Sequence, residues 1–187
     1  LEKMMIPKPI GTDLETLSAA LNEAESDARV DWLRSLGKKQ QAALFAMAEG
    51  TQMKVEEVHG GTGSTTVHYG KNSLPMFTQF QKRICNHNGV VQGYNHQSLK
   101  WLTGPGHFRV IPHDVPGELL FDYVWAPESV PEGFPPARSN KGGVSSWVYG
   151  DLEDVVRKVS DHIAIGRAII KGKLTTNYFG LCRGEEI

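Results

Sequence analysis

Apolar positions in this chain recur first at the period of a helix and then at the period of a strand. Leu14, Leu17 and Leu21 form one stripe at helical spacing, with the small Ser18 on the same face. Val30, Trp32, Leu33 and Leu36 form a second group, and Leu44, Phe45 and Met47 a third. Thr12 with Glu15 three residues on has the form of a capping box, so the first helix is expected to begin there. The second is expected from Asp27 to Leu36, with Gly37 at its C-cap, and the third from Lys38 to Glu49, ended by Gly50. Ile6 to Gly11 is excluded from helix by Pro7 and Pro9.

Beyond Gly50 the residues become β-branched and alternate. Val55 and Val58, then Thr65 to Tyr69, read as a hairpin around Gly60-Gly61-Thr62-Gly63. Those glycines lack the lysine-serine or lysine-threonine ending of a phosphate loop. Phe77, Phe80 and Ile84 share a helical face opposite Gln79, Lys82 and Arg83, which predicts an inserted helix from Ser73, stopped at Asn86-His87-Asn88-Gly89. Short strands are then expected at Val90–Tyr94, Leu99–Leu102, His107–Ile111 and Leu119–Trp125. Residues 126–143, with Pro127, Pro131, Pro135 and Pro136 around Phe134, read as a semi-rigid flap over one mouth of the sheet. Val144–Gly150 is expected as a strand, Leu152–Val159 as a short helix or bulged strand, and Ile163–Ile170 with Thr176–Cys182 as a closing hairpin.

The pattern predicts an α+β protein: a helical segment over 1–50, then a mainly antiparallel β-barrel or strongly curved sheet over 51–187 with one inserted helix. The helical segment is read as a cap laid on the sheet, or as an arm that pairs subunits into a homodimer. At 187 residues the chain can bury a core without staples. A net charge of −1 implies no phosphate-binding surface, so no nucleic-acid partner is expected. No apolar run reaches the length of a membrane span and no signal-peptide core is seen, so a cytoplasmic location is expected. The opening Leu1-Glu2-Lys3-Met4-Met5 has the look of residues appended ahead of a methionine start. Cys85 and Cys182 are read as buried, reduced thiols, with a disulfide between them as the alternative.

Here a resemblance enters. The strand His162-Ile163-Ala164-Ile165-Gly166-Arg167-Ala168, the turn Lys171-Gly172-Lys173 and the last strand Asn177-Tyr178-Phe179-Gly180-Leu181-Cys182-Arg183 resemble the closing hairpins of lipocalin-like (calycin) small β-barrels. The resemblance covers about a fifth of the chain. It implies a barrel with a cavity, and Arg183 packed across the barrel base.

Seven histidines crowd the chain, most of them mid-chain, but none shows a metal-ligand spacing, and neither a metal nor another cofactor is expected. Asp122 stands out as a carboxylate in an apolar strand, where it must be paired, hydrogen-bonded or protonated. It is read as an acid–base group with His107 or His96 and with Tyr94 or Tyr123 as hydrogen-bond donors, or as a structural partner of Arg109 or Lys100. The leading expectation is a carrier or sensor that holds a small apolar molecule against Phe77, Phe80, Trp101, Phe121, Trp125, Trp147 and Phe179. A cofactor-free isomerase, cyclase or lyase using that same cavity is the alternative, and an assembly component acting through the helical arm is the third.

Overall fold

A computed structural model describes residues 5–76, 78–96, 105–137 and 149–187. Three helices, α1 (Leu14–Glu23), α2 (Ser26–Arg34) and α3 (Lys38–Met47), precede a 3-10 helix at Val55–Val58. Eight strands follow among the described residues: β1 (Thr65–Asn72), β2 (Gln79–His87), β3 (Val90–His96), β4 (His107–Pro112), β5 (Leu119–Asp122), β6 (Leu152–Lys158), β7 (Ile163–Ile170) and β8 (Lys173–Glu186). Each pairs antiparallel with the next, and β8 returns to pair with β1, so the sheet closes into a barrel with no free edge.

The expected α+β class and the barrel are therefore present, with differences in detail. Asp13, one residue after the expected cap, caps α1: its Oδ1 accepts from the Thr16 amide at 2.8 Å. Val55–Val58 forms a 3-10 turn in place of a hairpin arm, and Leu152–Lys158 is a strand. The inserted helix is replaced by β2. Phe80, Lys82 and Ile84 alternate along β2 and all turn inward, so its period is two, with a charged residue occupying one core position. That inward lysine hides the strand pattern and leaves Phe77, Phe80 and Ile84 looking helical. The expected strands at Leu99–Leu102 and Val144–Gly150, the first four residues, and Phe77, Trp101 and Trp147 lie wholly or mostly outside the described residues.

Two cores share the barrel wall. Outside, Leu17, Leu21, Leu33, Leu36 and Leu44 are completely buried against Val155, Val159, Ile163, Ile165 and Cys182. The helical stripes are thus spent on this chain's own barrel. Gly180 on β8 leaves the space that the Leu33 side chain fills. Arg157 fastens the outer layer: it lies 4.0 Å over the Phe45 ring, donates to the Phe45 carbonyl at 2.8 Å and bonds Glu118 at 2.7 Å. Cys182 belongs to this layer, Cys85 is buried in β2, and both are free thiols.

Inside, rings from one strand lie across glycines of the next: Phe80 over Gly70, Phe108 over Gly93 and Phe179 over Gly166. Each glycine is a notch that admits a ring into a narrow barrel. Phe108 and Phe121 stack at 5.2 Å, and Tyr123 stacks on Tyr149 at 5.4 Å. The 3-10 helix closes one end. Arg183 donates to the carbonyls of Glu57 and His59 at 3.1 and 3.4 Å, and buried His68 donates to the Val58 carbonyl at 2.9 Å. Burial pushes the His68 pKa down to about 4, which keeps the ring neutral and its Nε2 proton available for this one carbonyl.

Candidate functional site

Alternation along the strands divides the candidate residues between two faces of the wall. Phe121 and Tyr123 of the β5 run belong to the inner core, so Asp122 between them points outward. Its Oδ2 accepts from Arg109 Nε at 2.8 Å, and its Oδ1 accepts from the amides of Val124 and Trp125 at 2.9 and 3.2 Å. These bonds end the strand and start the long connection to β6. The pairing with Arg109 is the structural alternative read from the sequence.

Tyr94, His96 and His107 also come together on the outer face. The Tyr94 ring lies 6.0 Å from that of His96, 6.3 Å from that of His107 and 4.8 Å from that of Phe134. His107 Nε2 donates to the Pro136 carbonyl at 3.2 Å, and Gln92 reaches the Ser129 carbonyl. Residues 126–137 of the proline-rich loop therefore lie along the outside of β3 and β4, and Phe134 is the ring that seats them. Burial lowers the His107 pKa, opposed by its carbonyl contacts. Trp125 is half-buried at the start of the same loop.

The interior brings together a different set. Phe80, Phe121 and Phe179 face inward, and Tyr123 is 1% exposed. At their centre is Lys82. Its Nζ lies 4.8, 4.9, 5.3, 5.4 and 5.7 Å from the ring centroids of Phe108, Tyr123, Phe179, Phe80 and Phe121. It donates to Asn95 Oδ1 at 3.0 Å and to the Tyr123 hydroxyl, and stands 3.6 Å from Asp154 Oδ2. Asn95 and Tyr123 are in turn 3.4 Å apart. Each of these side chains occupies an inward position: Lys82 opposite Asn95 across β2–β3, and Asp154 opposite Phe121 across β5–β6.

Electrostatically the cluster is unlike an ordinary ion pair. Desolvation pulls the Lys82 pKa down to about 8, against the raising effect of Asp154. Desolvation pushes Asp154 up, opposed by Lys82 and Tyr123, and it pushes Tyr123 well above its ordinary value. The cluster lies in the half of the barrel away from the 3-10 helix. Asn95 is next to last in β3, Tyr123 follows the end of β5, and Asp154 is near the start of β6. Tyr149 packs between this cluster and Gly106.

Of the acid–base residues expected from sequence, only Tyr123 sits here, with Phe80, Phe121 and Phe179 of the four expected phenylalanines, Phe77 lying outside the described residues. Lys82, Asn95 and Asp154 were not anticipated. The signal for Asp154 is legible in retrospect, as an acid flanked by Val155 and Val156 in a β-branched run. Among the described residues no group of His, Cys, Asp and Glu is arranged to hold a metal, and no helix is long and apolar enough to cross a membrane. A surface groove of about 440 Å³, lined by Leu14, Glu15, Ser18, Thr51, Lys158, Val159 and Ser160, lies between α1 and the end of β6, outside the barrel.

Fold and site thus define a closed eight-stranded antiparallel barrel, capped on one side by helices, with a lysine–carboxylate–phenol cluster in an aromatic interior. Comparison with protein-family models, with curated proteins and with solved structures returned no match to this chain.

Proposed function

We propose that this chain binds one small, mainly apolar molecule in the barrel, in the half away from the 3-10 helix, with the molecule's polar atom against Lys82, Tyr123 and Asn95. The observation behind this reading is the buried Lys82–Asp154 pair, with side chains 3% and 7% exposed. Taking two such ions out of water costs several kcal/mol each, and hydrophobic replacements of similar volume are often as stable or more so. Barrel closure is supplied by the eight backbone ladders and the aromatic packing, so it gives no reason for a charge at this level. Buried groups with opposed pKa shifts are a mark of functional sites. An eight-stranded barrel is of the width that side chains fill or that one small ligand occupies.

The test is calorimetric titration of the full chain with a panel of aromatic alcohols, ketones and hydrocarbons of one or two rings. Saturable binding at one site is expected, with alcohols and ketones favoured at least tenfold over hydrocarbons of the same size. That preference should vanish in Lys82→Met and persist in Arg109→Ala. No heat with any member of the panel would remove the ligand-binding reading.

A cofactor-free enzyme in the same interior is the second reading. It is favoured by Lys82 and Asp154 at 3.6 Å, a latent base and a latent acid within reach of one bound molecule. Turnover of a panel ketone that is lost in Asp154→Asn, with affinity retained, is the outcome it predicts.

A further inference from the structure

Lys82 is an amine in surroundings suited to a carbonyl carbon. An ammonium has no lone pair, so an interior that disfavours the charged form is the first requirement of a nucleophilic lysine. Five rings surround Nζ at 4.8 to 5.7 Å. Asp154 is the anion beside it, at a distance that permits attraction without a tight bond. The Tyr123 hydroxyl and the Asn95 side chain lie on the same nitrogen and are hydrogen-bonded to each other, so a proton donor and an amide dipole stand where an attacked oxygen would come to rest.

We infer that Lys82 forms an imine with an aldehyde or ketone borne on a flat, conjugated apolar body. The inference rests on the barrel interior being the ligand site, and it names the class of ligand. Charge selects that class. A carboxylate ligand would put a second anion beside Asp154, and a cationic one would meet Lys82. A neutral carbonyl compound leaves the net charge of the site unchanged.

The bonds balance without a further reagent. Neutral Lys82 Nζ, its proton passed to Asp154, attacks the carbonyl carbon. The C=O π pair moves to oxygen, which takes the proton held by Asp154, while the attacking nitrogen, now cationic, returns one proton to Asp154 and leaves a neutral carbinolamine. Protonated Asp154 then gives that proton to the hydroxyl, which leaves as water while the freed nitrogen lone pair forms C=N. Overall the Lys82 ammonium and a carbonyl give a Lys82 iminium and one water, and Asp154 remains the counter-ion. The lowered Lys82 pKa is consistent with the first step, since the amine is available near pH 8 while an ordinary lysine is still protonated.

The test needs no variant. The full chain is incubated with cinnamaldehyde and sodium cyanoborohydride at pH 7.5, digested, and its adducts are located by mass spectrometry, with calorimetric titration of cinnamyl alcohol alongside. Reductive alkylation at Lys82 at least tenfold above the exposed Lys39, Lys171 and Lys173 is expected, and should disappear when the chain is unfolded in urea. Adducts confined to exposed lysines, with cinnamyl alcohol still bound, would overturn the imine and leave the ligand site standing. Absence of both the Lys82 adduct and alcohol binding would overturn both.

Discussion

Asp122 and Tyr123 are neighbours in sequence and stand on opposite faces of one wall. Asp122 bonds an Arg109 that is 39% exposed and caps two amides, so its charge is met by a cation in contact with water and by fixed dipoles. Tyr123 looks the other way, into an interior where, among the described residues, Lys82 and Asp154 are met by each other, the Asn95 amide, aromatic rings and the neutral His68 opposite Lys82 on β1. The outer pair is the shorter, 2.8 Å against 3.6 Å. Distance alone would make it the more important one, but desolvation reverses that order. A pair whose cation is open to water, as Arg109 is, is typically worth about 0–1 kcal/mol, whereas removing one partner of a pair buried on both sides costs about 3–5 kcal/mol.

The sharpest way to break this comparison is Asp154→Ala. It should lower unfolding free energy by about 3–5 kcal/mol at pH 6, read from urea midpoints, because it strands an interior ammonium. Asp154 raises the Lys82 pKa, so in the variant the amine gives up its proton below pH 8 and the loss should shrink as pH rises from 6 towards 8. Lys82→Met combined with Asp154→Leu should recover most of that loss, since both charges are gone; a double variant as unstable as the single one would mean that the pair contributes something packing cannot replace. Next comes pH. The folded-state pKa of Lys82 lies below its ordinary 10.5, near 8. Between those values the unfolded chain holds the extra proton on Lys82, so this group adds stability from pH 8 to pH 10. Cys85 and Cys182, raised by burial to about 11, subtract from it above pH 9, so the difference between the wild-type chain and Lys82→Met should carry the rise. Above that window Tyr123, raised in the folded state, works in the opposite sense. In Lys82→Met the rise should be absent. Arg109→Ala should give the smallest effect, about 0–1 kcal/mol, with no change in the slope between pH 8 and pH 10.

The same two faces explain what the sequence could reveal. Helical stripes such as Leu14, Leu17 and Leu21 are legible because one apolar face against one wall is all the information a helix needs. The closing hairpin β7–β8 is legible for the matching reason, a period of two with a turn at Lys171-Gly172. Strand β2 has the look of a helix in sequence because its inward positions hold Phe80, Lys82 and Ile84, and a charge in a core position erases the alternation. The same erased alternation hides the site, whose central residue is that charge. Asp122 drew attention as an acid among apolar neighbours, yet such a pattern fits either face of a wall buried on both sides. Only closure of the barrel decides that Asp122 faces out and Asp154 in. Tyr94, His96 and His107, expected around Asp122 in a cavity, meet instead under residues 126–137, outside the barrel.

The claim that the interior around Lys82 is the place where a small molecule binds is tested most directly by NMR. Lysine side chains labelled with 15N at Nζ are followed while cinnamyl alcohol is titrated into the full chain, with the imidazole signals of His96 and His107 recorded in the same samples. The Lys82 resonance is expected to shift saturably while the two histidines stay still. A saturable shift of His96 and His107 with Lys82 unmoved would place binding under the outer loop and contradict it.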